Sequence, residues 1–186
     1  LYICNPETAD DVLLSVSASP FINPPGYFEG AVCFFRDITA ETVVRDAVEH
    51  SESRFRAFMD NVPAIAFIKT SRGQYVYGNR HFFDYHPTTP EDLENSPVTD
   101  FDLTSPETAA MLQENDRRVL EEQTPLHVGE LLISTKGSPV WFLVYKFFLP
   151  KASGESYVGG IAIDVTERRE HEQRLIAEDQ LLRKMI

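Results

Sequence analysis

The sequence is short of cysteine, of long apolar runs and of positive charge, and each shortage removes a class of protein. Its two cysteines, Cys4 and Cys33, both stand in the first fifth of the chain, which argues against a disulfide framework and for a reducing, cytoplasmic setting. No apolar run approaches the roughly 20 residues that cross a bilayer, and no signal peptide opens the chain, so direct membrane contact is not expected. Seventeen basic residues face 29 acidic ones, a net charge of −12, and they form no stripe; nucleic acid is not an expected partner. There is no Gly-x-Ser-x-Gly turn, no glycine loop to cradle phosphate and no histidine pair at metalloprotease spacing. No catalytic residue is assigned, and the chain reads as regulatory. What is present, 42% hydrophobic and 25% charged residues in 186, is ample for one core.

One phrase occurs twice. Asp37-Ile38-Thr39 follows the apolar run Ala31 to Phe35, and Asp164-Val165-Thr166 follows Gly160 to Ile163, 127 positions apart (164 − 37). The register continues downstream, Val44 falling on His171, Val48 on Leu175, Ser51 on Glu178 and Phe55 on Leu182. That interval suits one small domain plus a connecting helix. The expected organisation is the end of one domain at 1–39, a linker helix at 40–62, one complete domain at 63–166 and a second linker or coiled-coil helix at 167–186.

Residues 1–39 read as two strands about the turn Asn23-Pro24-Pro25-Gly26. Two strands bury no core. A helix is expected from Ala40 to about Asn61, with Val44, Val48, Ser51 and Phe55 at helical spacing and Pro63 ending it. A hairpin follows, Ala64–Ile68 and Gln74–Tyr77 about Ser71-Arg72-Gly73, then a short helical run from Asn79 to Tyr85. Thr89-Pro90-Glu91-Asp92 and Ser105-Pro106-Glu107-Thr108 each announce a helix start. The second of these runs to about Glu122 with Ala109, Leu112, Val119 and Leu120 inward. Three strands close the domain, Leu126–Ser134, Val140–Leu149 after the Lys136-Gly137 turn, and Tyr157–Val165 after Ser153-Gly154. The last helix starts at Glu167 with Asp164 and Glu167 placed as a capping box. Two strand groups separated by helices imply an α+β domain, a five-stranded antiparallel sheet with short helices on one face and flanking linker helices.

This order, carried by Ser53-Arg54-Phe55-Arg56-Ala57-Phe58, Asn61-Val62-Pro63, Gly73-Gln74-Tyr75-Val76-Tyr77-Gly78-Asn79, Lys136-Gly137-Ser138-Pro139-Val140-Trp141 and Gly160 to Arg168, resembles the PAS domain with its C-terminal PAC portion. The likeness covers residues 51–169. Residues 9–39 look like the last strands of a preceding PAS domain. The resemblance implies a sensory and dimerisation module in a tandem array of a prokaryotic multidomain signalling protein, a histidine kinase above all, which senses a small ligand and relays it through flanking helices. The alternative is a ligand-free structural relay in a diguanylate cyclase or another effector. A homodimer through the helices, neighbouring PAS and effector domains, and a small-molecule ligand are the implied partners.

The same resemblance implies candidate sites. Phe67, Tyr75, Tyr77, Asn79, Phe83 and Phe147 are the pocket candidates. Asp37, Thr39, Asp164 and Thr166 are placed at the joints that couple strand to helix, and Val48, Phe55, Leu175 and Leu182 on the dimer helices. Haem-binding relatives use a histidine on the long helix, and Ser105–Glu122 has none. Photoactive flavin relatives need a cysteine, and none lies between 34 and 186. No cofactor is therefore identified. His81, Asp84 and His86 are metal-ligand types, but a surface pair of histidines on an aromatic helix is the preferred reading over a metal site. Glu130 and Lys136 read as an exposed pair of little consequence, Glu91-Asp92-Leu93-Glu94 as a solvated helix face, and His171-Glu172 as linker and not as a phosphoacceptor.

Overall fold

The structure, a computed structural model, describes residues 2–4, 11–133, 138–150 and 154–184. The chain divides into two compact units, Leu1–Phe55 and Arg56–Ile186.

The first unit is a three-stranded antiparallel sheet followed by a helix. Strand β1 (Tyr2–Cys4) pairs with β2 (Asp11–Ile22), and β2 pairs with β3 (Phe28–Asp37). The expectation of two strands missed β1, because three residues carry no alternating pattern. Gly26 supplies the positive φ of the β2–β3 turn. Helix α1 (Thr39–Asp60) then runs on with no buried residue.

The second unit holds the complete sheet, in the order β5-β4-β8-β7-β6 and antiparallel throughout. Its strands are β4 (Ile65–Thr70), β5 (Tyr75–Gly78), β6 (Leu126–Ile133), β7 (Pro139–Leu149) and β8 (Tyr157–Asp164). Between β5 and β6 come α2 (Arg80–Tyr85), α3 (Pro90–Asn95), α4 (Asp100–Leu103) and α5 (Pro106–Glu122). The anticipated start signals act as such. Thr89 and Asp92 form a capping box, and the Ser105 hydroxyl accepts from Thr108 N. Helix α4 was not anticipated, since four residues carry no periodicity. The turn residues Lys136, Gly137 and Ser153 lie outside the described set.

The core lies between the sheet and the short helices, with Ile65, Phe67, Tyr75, Phe82, Phe142, Val144 and Ala162 buried together. Gly160 is required in it. A Cβ there would stand 2.2 Å from Cζ of Phe67, so only glycine lets that ring lie across β8. Helix α6 (Thr166–Lys184) closes the described chain.

The two copies of the repeated phrase make the same bonds. Asp37 Oδ1 accepts from Thr39 N at 2.9 Å, Thr39 Oγ1 from Leu13 N at 2.8 Å, and Leu13 O from Ile38 N at 2.9 Å. Asp164 Oδ1 accepts from Thr166 N at 2.8 Å, Thr166 Oγ1 from Trp141 N at 2.9 Å, and Trp141 O from Val165 N at 2.8 Å. This corrects the capping box expected of Asp164 and Glu167: the aspartate holds Thr166, and the threonine ties the helix start to the neighbouring strand. Strand register repeats as well. Val16 faces Phe35 as Val144 faces Ala162, and Leu14 faces Asp37 as Phe142 faces Asp164.

Candidate functional site

Strand alternation carries charge into the core. On β4 the inward positions are Ile65, Phe67 and Lys69, on β6 Val128, Glu130 and Leu132, and on β7 Phe142, Val144 and Lys146. Lys69 and Lys146 are each 1% exposed and Glu130 is 3% exposed. Opposite them, α4 contributes buried Asp100, and the core face of α5 contributes Asn115 and Asp116 beside Ala109 and Val119.

These groups satisfy one another. Lys69 Nζ donates to Asp100 Oδ1 and Oδ2 at 2.7 and 2.6 Å and to Asp116 Oδ2 at 2.8 Å. Lys146 Nζ donates to Asp116 Oδ1 at 2.6 Å and to the Leu112 carbonyl at 3.1 Å. The Tyr75 hydroxyl donates to Asp100 Oδ1 at 2.8 Å, and Asn115 Nδ2 to Glu130 Oε1 at 3.1 Å. Asp116 thus bridges two ammonium groups on different strands, an arrangement that buried charges require. Lys69 Nζ also stands 4.6 Å from the Tyr75 ring centre.

Burial pushes the Glu130 carboxyl above its ordinary range, against the pull of Lys146 and Asn115. The Tyr75 phenol is driven well up by burial first and Asp100 second. His86 is pushed down to about 4 by burial and by Lys69, so it is neutral at pH 7. His86 packs on Phe82 at 4.7 Å between ring centres. It is not the surface histidine expected, because its ring packs against Phe82 and Tyr85 at the chamber wall.

A chamber of ≈50 Å³ opens among these residues. Lys69, Asp100, Glu130 and Lys146 supply its polar wall, with His86 beside them; Ile65, Phe67, Leu132, Phe142 and Val144 are among its apolar lining. Of the six pocket candidates, Phe67 and Tyr75 line it. The other four are placed elsewhere. Asn79 is a buried N-cap: its Oδ1 accepts from Ala66 N and Phe82 N, and its Nδ2 donates to the Met59 and Ala64 carbonyls. Tyr77 and Phe83 line a separate surface hollow. Phe147 points to the other face, over Gly159, where a Cβ would come within 2.5 Å of its ring.

Lys69, Asp100, Asp116 and Lys146 were not singled out from sequence, and Glu130 was read as exposed. Parity was the available signal, since Lys69, Glu130 and Lys146 each continue an inward alternation that apolar residues begin. Lys136 lies outside the described residues. Asp84 pairs with Arg80 at 3.7 Å, and no three His, Cys, Asp or Glu side chains gather as a metal site among the described residues. Among those residues no helix is long and apolar enough to cross a membrane.

The chamber end of the sheet is tied to α6 through β7. Trp141 packs under Arg169, 4.1 Å from guanidinium to ring centre, beside the Thr166 bond. On the helices, Val48 and Leu175 are exposed at 60% and 66%, and Phe55 is exposed too; the Leu182 side chain is outside the described set.

Comparison with known proteins places this architecture. The chain matches the PAS fold family over residues 59–170. Protein y4lL of Sinorhizobium fredii strain NGR234, itself uncharacterized, is 27% identical over 150 residues, which cover 78% of this chain and 18% of that protein. The chain therefore spans under a fifth of the length of that relative. Among solved structures, VqmA of Vibrio cholerae in a complex with ligand and DNA is 22% identical over 59% of this chain and 49% of its own, with a TM-score of 0.52. A PAS domain of Colwellia psychrerythraea is 14% identical over 62% of this chain and 97% of its own, with a TM-score of 0.50.

Proposed function

Since the chain belongs to the PAS fold family, a family of sensory modules, we propose that residues 63–166 form a regulatory ligand-sensing domain of a larger signalling protein. The observation that carries this reading is the chamber. A core of ordinary make-up fills such a space with aliphatic side chains, yet here two lysines, two carboxylic side chains and a histidine converge on one hollow, a concentration of buried ionisable groups that marks a candidate functional site. The ligand is a small molecule held between the sheet and α2, α4 and α5. VqmA, which shares the fold, forms a complex with a ligand.

Output runs through the strand–helix joints. A ligand pressing on Phe142 or Val144 shifts β7, and the Thr166–Trp141 bond passes that shift to α6. The flanking helices pair in a homodimer and lead to neighbouring PAS and effector domains, a histidine kinase being the preferred effector. Residues 1–39 are the closing strands of a preceding PAS domain, supported by the shared register and the shared Asp-x-Thr bonding. The acid excess keeps nucleic acid off the list of direct partners, and the setting is cytoplasmic.

A second reading has one observation in its favour. A chamber of ≈50 Å³ is far below the roughly 300–1,000 Å³ of ordinary small-molecule sites, which suits a ligand-free relay. Native mass spectrometry of the purified 186-residue chain separates the two. A retained stoichiometric small molecule is the expected result; a ligand-free mass from cells and after incubation with cell extract favours the relay.

A further inference from the structure

Beside the chamber lies a second hollow of ≈250 Å³, lined in part by Pro63, His81, Asp84 and Asp164. Chamber and hollow share four wall residues, Ile65, Phe142, Ala162 and Tyr85. The first three belong to β4, β7 and β8 and are held by the ladders. Tyr85 is the last residue of the six-residue helix α2, and it is the one member of the partition that strand pairing does not fix. Its ring stands edge-on to Phe142 at 5.2 Å and to His86 at 5.0 Å. Its hydroxyl is buried with no hydrogen-bond partner among the described residues, and so is Nδ1 of His81 in the neighbouring turn of the helix. An orphaned buried polar group is destabilising, a penalty that either rotation into the hollow or a ligand's polar group removes.

We propose that Tyr85 is a gate between an outer vestibule and the inner chamber, and that the molecule it admits is small and uncharged, with an apolar body and one hydrogen-bonding group. This rests on the reading of the chamber as a ligand site and names the route and ligand class for it. The charge argument has two parts. The ammonium groups of Lys69 and Lys146 are already matched by Asp100 and Asp116, so an entering carboxylate has to break a buried pair. The vestibule wall also carries Asp164, and Asp84 there is matched by Arg80, so it offers an arriving anion no unmatched positive charge. The polar end of the ligand meets the Tyr85 hydroxyl and His81, and its apolar body enters past Ile65 and Phe142. The vestibule also touches Asp164, which accepts from Thr166 N at the start of α6, so occupancy and output share a side chain.

The test uses the full chain with methyl-labelled leucine and valine, and phenol and benzoate as a matched uncharged and anionic pair. Phenol should shift the methyl signals of Leu103, Leu132 and Val144, and benzoate should leave them in place. Tyr85→Ala should speed phenol exchange by about tenfold or more, since a closed gate limits association. Tyr85→Phe keeps the wall and loses the hydroxyl, so phenol association should stay as slow as in the parent while affinity falls about fivefold through faster dissociation. Should Tyr85→Ala lose its dispersed spectrum, Tyr85→Leu carries the same rate comparison. Equal exchange rates with and without the ring overturn the gate and leave the chamber reading standing. Equal response to benzoate overturns the ligand class. No methyl shift by phenol in any of these proteins overturns the chamber as a ligand site.

Discussion

At the scale of single residues, the buried charges decide what this core tolerates. Asp116 holds two ammonium groups, so Asp116→Leu leaves Lys146 with only the Leu112 carbonyl and should cost about 3–5 kcal/mol in urea unfolding. Asp116→Leu with Lys146→Met removes a charge pair and leaves Lys69 on Asp100, so it should recover most of that loss. A double variant no more stable than the single one refutes the pairing. His86 sets a pH dependence of opposite kind to that of Glu130. Its folded value of about 4 lies below the ordinary 6.5, so its contribution is full above pH 6.5 and is lost as pH falls through about 4, by up to about 3 kcal/mol. His86→Leu should flatten stability between pH 6.5 and 4. The raised Glu130 contributes in the other sense, with stability present below its ordinary 4.5 and lost as pH rises through the folded value. Glu130→Gln should therefore be tolerated at pH 7 and should steepen the acid loss. None of these roles was visible by composition. A lysine reads as surface unless its position in the alternation is weighed above its chemistry, and the partners that make Lys69 and Lys146 tolerable come from α4 and α5, between 31 and 47 positions away from Lys69 and 30 from Lys146.

At the scale of elements, local signals did most of the work. The Thr89-Pro90 and Ser105-Pro106 starts, the Pro63 stop and the alternation of β6 to β8 are short-range effects of φ, capping and pleat, and they placed those elements within a residue or two. What local patterning does not contain is partner choice, so β1 and α4, too short for any period, escaped it. The joints are the elements' most specific feature. Thr166→Ala frees Trp141 N and loosens the first turn of α6, at about 1 kcal/mol. Hydrogen exchange should quicken at residues 166–170 and stay unchanged around Phe82 and Val144; quickening throughout the core means the threonine serves the fold and not the joint. The pairing proposed for the helices is a weak one, because Ser51 and Glu178 interrupt their stripes. Leu175→Glu with Leu182→Glu should weaken the association seen in sedimentation with the domain still folded, and association unchanged by the pair removes the helices from the proposal.

At the scale of the whole chain, the repeat makes a comparison within one molecule. In the second unit β8 has neighbours on both sides, β4 and β7, and the inward residues Val144 and Ala162 lie buried. Their equivalents in the first unit are Val16 on β2 and Phe35 on β3, exposed at 44% and 62%, and among the described residues β3 pairs only with β2. An apolar face and a free strand edge together are an association surface. On the proposed reading of residues 1–39 as closing strands, this face would receive the rest of that domain, and in the isolated chain a second copy is the proposed occupant. Two kinds of association are then proposed, one through the helices and one through β3, and substitutions separate them. Val16→Lys with Phe35→Lys should abolish whatever association survives Leu175→Glu and Leu182→Glu, while the melting of the second unit, followed at Trp141, moves by less than about 1 °C because the buried core of that unit is built from its own residues. A melting point that falls with the strand substitutions would mean that the units stabilise one another, and association untouched by them would mean that this face is not the one that pairs.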